Sequence, residues 1–336
     1  MDISTLGSHC ALQVLKGAKD EGFNTKLLCE KRREHLYKRF KFIDELILVD
    51  NFREIKRDDI IDRLSDSILI PHGTLISSMS IDEINSIKIP MFGNKKILHW
   101  EADRYLKDRL LKEAGLNIPK SFDNYKEIDR LVLVKLHGAA GGKGYFLAWD
   151  ETSFKNGIEQ LKAKNMINDE KDVFIQEYTI GVPVYLQYFY SPITNELELL
   201  GIDRRYESNV DGIGRIPAKY QHMLEASYNV IGNQPLVLRE SLLDEAYKMG
   251  ERFVEVTKRL VEPGMIGPFC LEGVYDEDAN FITFEFSGRI VAGTNLYIQG
   301  SPYSALIYNE PMSTGRRIAR EINIAIDKNA LESIIS

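Results

Sequence analysis

The sequence predicts an α/β chain of two or three lobes, and three observations carry that prediction. The first 29 residues read as strand, loop, helix, strand. A glycine-rich hinge separates two strands near residue 140, and two aromatic, apolar strands near the end each carry one glutamate. At 336 residues the chain exceeds one ordinary domain, so each lobe has room for its own core.

In the opening unit, residues 3–6 form a strand, Gly7-Ser8-His9 a loop, and the amphipathic run through Lys19 a helix that stops at Gly22 before a second strand over 25–29. A small polar loop at a helix start aims backbone N–H groups at an anion. Strands over 45–50 and 67–71 repeat this logic, the latter running into His72-Gly73-Thr74. Ligands of open α/β sheets gather at the carboxyl ends of strands, which makes His9 and Thr74 candidate contacts. Judged locally, His9 and His72 serve equally well as a helix-start and a turn residue.

A charged helix follows from about His99 to Lys112. Next comes a strand over 131–136, the glycines Gly138, Gly141, Gly142 and Gly144 around Lys143, and a second strand from Tyr145. Such a loop can fold its N–H groups over phosphates. Lys135 sits among Val and Leu, where a charge is costly unless it meets an anion. The spacing is neither a Walker A loop nor a dinucleotide fingerprint, and a glycine-rich hairpin without ligand is the competing reading.

A strand over 173–178, holding Gln176, Glu177 and Tyr178, leads to a linker at Gly181. A new sheet begins at 182–190 and continues at 196–200, delivering Asp203-Arg204-Arg205-Tyr206-Glu207. A polar loop with Arg215, Lys219 and Asn233 precedes a helix over 241–260. The arms 269–275 and 281–287 then form a hairpin in which Glu272 and Glu285 face each other. Like charges so placed repel unless a cation intervenes, and Mg²⁺, which takes one or two protein carboxylates and leaves its other positions to phosphate and water, suits them. The alternative is a surface hairpin with two solvated acids. Arg289 follows as a fixed cation, and a helix over 313–327 with Arg316, Arg317 and Arg320 ends the chain.

Composition narrows the function classes. Apolar residues make up 44% and charged residues 28%, and no apolar run reaches the ~18 residues of a membrane span, so no membrane role is expected. A net charge of −7 argues against nucleic acid as a partner. Cys10, Cys29 and Cys270 lie in apolar segments without metal spacing and read as reduced core thiols of a cytoplasmic protein. The start lacks the features of a secretory signal.

Taken in order, these parts resemble the ATP-grasp superfamily, with an open α/β lobe over 1–98 as the pre-ATP-grasp domain, a lid over 99–178 and a metal- and substrate-binding domain over 179–336. The resemblance implies ATP and Mg²⁺ (or Mn²⁺) as cofactors. It places Arg104 and Lys135 on nucleotide phosphates, Gly141, Gly142 and Lys143 in the covering loop, and Gln176, Glu177 and Tyr178 at the adenine hinge. Glu272 and Glu285 become the metal acids and Arg289 the arginine on the transferred phosphate. The chain departs from the pattern at Ser287, where Asn is common, and at Val184, where many members carry a ribose-binding acid.

Thr5-Leu6-Gly7-Ser8-His9, Pro71-His72-Gly73, Phe92-Gly93-Asn94, the loop at 141–146, Arg205-Tyr206-Glu207-Ser208-Asn209, Arg239-Glu240-Ser241, Gly267-Pro268-Phe269-Cys270 and the run at 315–321 look like the archaeal PurP family over nearly the whole length. That family joins formate to the amine of the ribotide AICAR with ATP, giving FAICAR, ADP and phosphate. The likeness implies ribotide contacts at His9, Thr74, Gln187 and Asn233, an ATP contact at Glu207, and a homo-oligomer. Gln187 stands where family members have His, and Ala140 where they carry Arg or Lys. A paralogue acting on another amine, or a nucleotide-binding protein without turnover, are the alternatives. Formate is an unreactive carboxylate, so the expected route is phosphorylation to formyl phosphate, with the lid closing to exclude water.

Overall fold

The computed structural model describes residues 1–136, 145–224, 226–291 and 298–336. Ala140, Gly141, Gly142 and Lys143 lie outside the described residues. The fold is mixed α/β, and the described residues form three sheets.

The first sheet is parallel, formed by β1 (Asp2–Leu6), β2 (Asn24–Glu30), β3 (Glu45–Val49) and β4 (Ser67–Leu69) in the order β3-β2-β1-β4. Its strands β1 and β4 are buried on both faces, as parallel sheets require, and their buried Ser4, Thr5 and Ser67 are hydrogen-bonded within the sheet. The carboxyl end of β1 delivers Gly7-Ser8-His9, and the chain after β4 delivers His72, which caps the helix Gly73–Ser78 by accepting from the Thr74 N–H.

The second sheet contains β5 (Ser121–Phe122), β6 (Val132–Leu136), β7 (Tyr145–Ala148) and β8 (Val173–Glu177) in the order β5-β8-β6-β7. Val132, Val134 and Ile175 on one face bury Phe154, Ile158 and Leu161 of the helix Glu151–Ala163. Lys135 is on β6, as the sequence predicts.

The third sheet is antiparallel, formed by β9 (Val182–Ser191), β10 (Glu196–Asn209), β11 (Tyr228–Pro235), β12 (Gly267–Tyr275) and β13 (Phe281–Ser287) in the order β11-β10-β9-β12-β13. Its period-2 alternation separates two faces. Val184, Leu186, Tyr188, Phe269, Leu271 and Phe286 pack under Phe253 of the helix Leu243–Leu260, with the Tyr188 and Phe269 rings stacked at 4.9 Å. Tyr185, Gln187, Cys270, Glu272, Glu285 and Ser287 therefore share the opposite, polar face.

Three expectations are corrected. The charged helix at 99–112 is two helices, Lys95–Ala102 and Arg104–Glu113, because Asp103 ends the first and caps the second by accepting from the Leu106 N–H at 2.9 Å. Leu110 and Leu111 pack on the third sheet's core rather than with the lid strands. The polar loop carrying Asn233 is strand β11; Asn229, Gly232 and Gln234 deny it an alternating pattern, and its pairing with β10 alone holds it extended.

The C-terminal helix Thr314–Asp327 packs on the first helix, Ala11–Asp20, burying Ile318 and Ile322 beside Val14 and Ala18. A Cβ on Gly17 would lie 2.2 Å from the Arg316 backbone nitrogen, so the two backbones meet where only glycine fits. Gly17→Ala is expected to destabilise the protein by about 1–3 kcal/mol through overpacking, despite alanine's better helix propensity. Urea unfolding measures this; a midpoint equal to or above that of the parent would show that the helices can part at no cost.

Candidate active site

The polar face of the third sheet meets the carboxyl ends of the first sheet in one cleft. A parallel bridge between His72 and Ile290 and the Cys10 thiol donating to the Val291 carbonyl at 2.9 Å join the two.

Glu272 and Glu285 stand directly opposite each other across β12 and β13, as predicted. Glu272 is buried, and both its oxygens are engaged. Oε1 accepts from Ser287 Oγ at 2.8 Å and Oε2 from Arg205 Nη2 at 3.0 Å, while the Arg205 guanidinium lies 3.9 Å over the Tyr185 ring. Glu285 keeps 43% of its side chain exposed to the cleft and forms an ion pair with Lys107. Burial works to raise its pKa, but Lys107, Lys135 and Arg104 outweigh that and hold the carboxyl below the usual range.

Among the described residues no group of three or more His, Cys, Asp or Glu assembles into a metal cage. Two opposed carboxylates ringed by cations instead fit a divalent ion that arrives with phosphates and keeps its own waters.

Lys135 donates from Nζ to Gln176 Oε1 at 2.9 Å, and desolvation lowers its pKa to about 8 although Glu285 opposes the shift. Arg104 donates to the Leu136 carbonyl at 3.2 Å, and its Nε is buried with no partner. Nearby, Tyr178 and Tyr228 share a hydroxyl contact of 3.2 Å, Tyr145 packs edge-on to Tyr228, and burial raises the Glu207 carboxyl against the pull of Arg205. Glu177 turns its carboxylate to the Lys120 N–H and to Arg130, at 3.1 and 3.0 Å. Val184 faces the apolar core.

At the other end, Arg289 forms an ion pair with the buried Glu101, whose second oxygen accepts from the Gly288 N–H at 2.9 Å. Burial raises the Glu101 pKa while Arg289 opposes it. His9 Nδ1 lies 2.5 Å from Thr74 Oγ1 and 3.0 Å from Ser8 Oγ. His72 is a fully buried structural residue, its Nε2 donating to the Leu6 carbonyl at 2.8 Å and its pKa pressed to about 3 by desolvation. Gln187 is buried and donates to Asp203 Oδ2 at 3.3 Å; Asn233 on β11 sits opposite Arg205 in register.

Sequence reasoning missed Lys107, Arg205 and Glu101 as members of the site. Arg104 and Lys107 share a helix face at i, i+3, and Arg205 alternates with Asp203 and Glu207 along a strand; those spacings were the available signals.

Residues 153–336 match the family model described as a domain of unknown function (DUF1297), and residues 3–122 match the one described as a protein of unknown function (DUF1246). A protein of Nitrosopumilus maritimus named 5-formaminoimidazole-4-carboxamide-1-(beta)-D-ribofuranosyl 5'-monophosphate synthetase is 58% identical, covering 99% of this chain and 98% of its own. The protein of the same name from Saccharolobus solfataricus is 50% identical with 100% of both chains covered. The crystal structure of an IMP biosynthesis protein PurP from Thermococcus kodakaraensis superposes with a TM-score of 0.81 at 32% identity, over 99% of this chain and 100% of that one. N5-carboxyaminoimidazole synthetase from Staphylococcus aureus complexed with ADP gives 0.62 at 14% identity, over 87% of this chain and 71% of that one, a likeness of fold alone.

The depressed pKa of Lys135 has a testable sign. Its folded value of about 8 lies below the ordinary 10.5, so the ammonium destabilises the unliganded protein fully below pH 8, and this cost disappears as pH rises to 10.5. Lys135→Met is expected to melt above the parent at pH 7, with the gap closing between pH 8 and 10.5. A gap independent of pH would place the ammonium in solvent.

Proposed function

Since the chain belongs to the PurP family of 5-formaminoimidazole-4-carboxamide ribonucleotide synthetases, we propose that it joins formate to the amine of the ribotide AICAR with ATP, releasing FAICAR, ADP and phosphate. It is an ATP-grasp ligase of purine biosynthesis. The observation that carries the reading is the opposed pair Glu272 and Glu285, set between cations at both ends of one cleft.

Glu272 and Glu285 would hold Mg²⁺ or Mn²⁺, which when bound draws charge from the phosphates and fixes their geometry. Lys135 and Arg104 receive the nucleotide phosphates at the lid end, where the orphaned Arg104 Nε and the desolvated ammonium gain most from an anion. Glu207 and the tyrosines Tyr145, Tyr178 and Tyr228 border the nucleoside end. Arg289, clamped by Glu101, neutralises the group in transfer. A formate oxygen attacks the γ-phosphorus, ADP leaves, and the formyl phosphate so formed meets the amine of a ribotide held by His9, Thr74 and Asn233.

The paralogue reading rested on Gln187 and Ala140. The Gln187 amide is engaged by Asp203 on the neighbouring strand, which accounts for it as part of the sheet's own hydrogen bonding. Binding without turnover is disfavoured because Lys135, Glu272, Glu285 and Arg289 all line one cleft.

Purified protein is expected to release ADP only when formate and AICAR are both present, and Glu285→Gln to lower kcat by about 100-fold or more, as loss of a preorganised charge does. Faster turnover of a different amine would sink the AICAR assignment. Near-parental activity of Glu285→Gln would move the metal elsewhere.

We infer a homo-oligomer as well. Strand β11 is a sheet edge, and Ile231 at 72%, Val237 at 67% and Met223 at 72% exposure leave apolar surface on and beside it. The three buried free thiols support a cytoplasmic setting, and no helix among the described residues is long and apolar enough to cross a membrane. Sedimentation is expected to give a mass that is a multiple of 38.5 kDa; a monomer at micromolar concentration contradicts the assembly.

A further inference from the structure

Formyl transfer to an amine leaves a proton to be removed, and a base must stand at the ribotide end of the cleft. We propose that His9 Nε2 is that general base, an inference that rests on the formate–AICAR reading above.

Four observations converge on it. His9 adopts φ 42°, a left-handed conformation uncommon outside glycine, and such backbone concentrates at functional sites. Its ring is oriented through Nδ1, which reaches Thr74 Oγ1 at 2.5 Å and Ser8 Oγ at 3.0 Å; the proposal puts the proton on Nδ1, donated to Thr74, which leaves the lone pair on Nε2. Nε2 looks across Gly73 toward Arg289: a Cβ built on Gly73 would lie 3.6 Å from Nε2 and 3.7 Å from the Arg289 guanidinium carbon. Nε2 and the guanidinium therefore border the same small space beside Gly73, where a Cβ would sit in ordinary contact with both. Finally, desolvation and then Arg289, Arg33 and Arg205 lower the His9 pKa, which favours a neutral ring able to accept at neutral pH; His72, its ring centroid 5.6 Å away and tilted by 34°, is itself neutral.

The other candidates at this end are committed elsewhere. Both nitrogens of His72 are used within the fold. Glu101 spends one oxygen on Arg289 and the other on Gly288. The Gln187 amide is not a base, and burial pushes the Cys270 thiol well up.

In the proposed step the amine lone pair forms the N–C bond to the formyl carbon. The C–O bond to phosphate breaks, its electron pair leaves with phosphate, and the amine proton passes to Nε2. The surrounding arginines disfavour the imidazolium, so it returns the proton readily to the departing phosphate or to water.

His9→Asn is the variant that tests this, because asparagine tolerates the left-handed backbone and keeps hydrogen-bonding capacity without being a base. We expect kcat to fall by about 100-fold or more, the ordinary range for loss of a general base, while KM for AICAR changes by less than about tenfold. The parental kcat should show an acid limb with its midpoint below that of free imidazole, absent from His9→Asn. Added imidazole should raise the kcat of His9→Gly by about tenfold or more if it substitutes for the missing base. An acid limb that persists in His9→Asn, or a kcat within about threefold of the parent, overturns the assignment. A rise in KM alone would make His9 a ribotide contact only and overturns it too. A parent that forms no FAICAR removes the substrate reading first, and this inference with it.

Discussion

Two carboxylates placed opposite each other on adjacent strands are the constraint on which the rest of the cleft depends. At ~5 Å and an effective dielectric near 20, their mutual repulsion is about 3 kcal/mol, a sizeable fraction of the stability of an ordinary domain. Each acid is met from a different part of the chain. Arg205 reaches Glu272 from β10, braced on the Tyr185 ring, and Lys107 reaches Glu285 from the helix Arg104–Glu113. The hairpin that would hold a metal is thus also the place where three elements distant in sequence are drawn into register.

The same logic orders the two ends. At the lid end, Lys135 is desolvated and its charge weakened, so an arriving anion would restore what burial removed. At the opposite end, the buried pair of Glu101 and Arg289 is weak evidence for stability, since desolvating both charges offsets most of their attraction. Its effect is geometric. Glu101 binds the side chain of Arg289 and the backbone of Gly288 together, which fixes the guanidinium relative to β13 and hence to Glu285.

Much of the fold was legible because it rests on local periodicity. The βαβ opening, the hairpin register that pairs Glu272 with Glu285, and the strand position of Lys135 follow from alternation, glycine punctuation and turn composition. What escaped is set by partners far away in the chain. Strand β11 has no apolar alternation and is extended only because β10 supplies its hydrogen bonds. The break at Asp103 is a single capping residue inside a run that is helical on both sides. Lys107 and Glu101 meet Glu285 and Arg289 across 178 and 188 residues, and a charge on a helix gives no sign of whether it faces solvent or a carboxylate.

The chain's net charge of −7 and the chemistry of its cleft therefore point in opposite directions. Beside Glu272, Glu285 and Glu101, and beside Glu207 and Asp203 further along the same sheet, stand Arg104, Lys107, Lys135, Arg205 and Arg289, so cations are gathered against the acids within an acidic protein. Formate, the nucleotide and the ribotide are all anions, and a divalent ion held by the two glutamates would still leave bound nucleotide negative. Fixed cations gathered at one place would allow three anions to occupy one small volume with less mutual exclusion, and low-dielectric walls strengthen that attraction. On the proposed reading the acids would hold the metal, while Lys and Arg would admit the substrates. Neither half works alone, because the glutamates without their cations would repel phosphate, and the cations without the glutamates would have no neutral resting state.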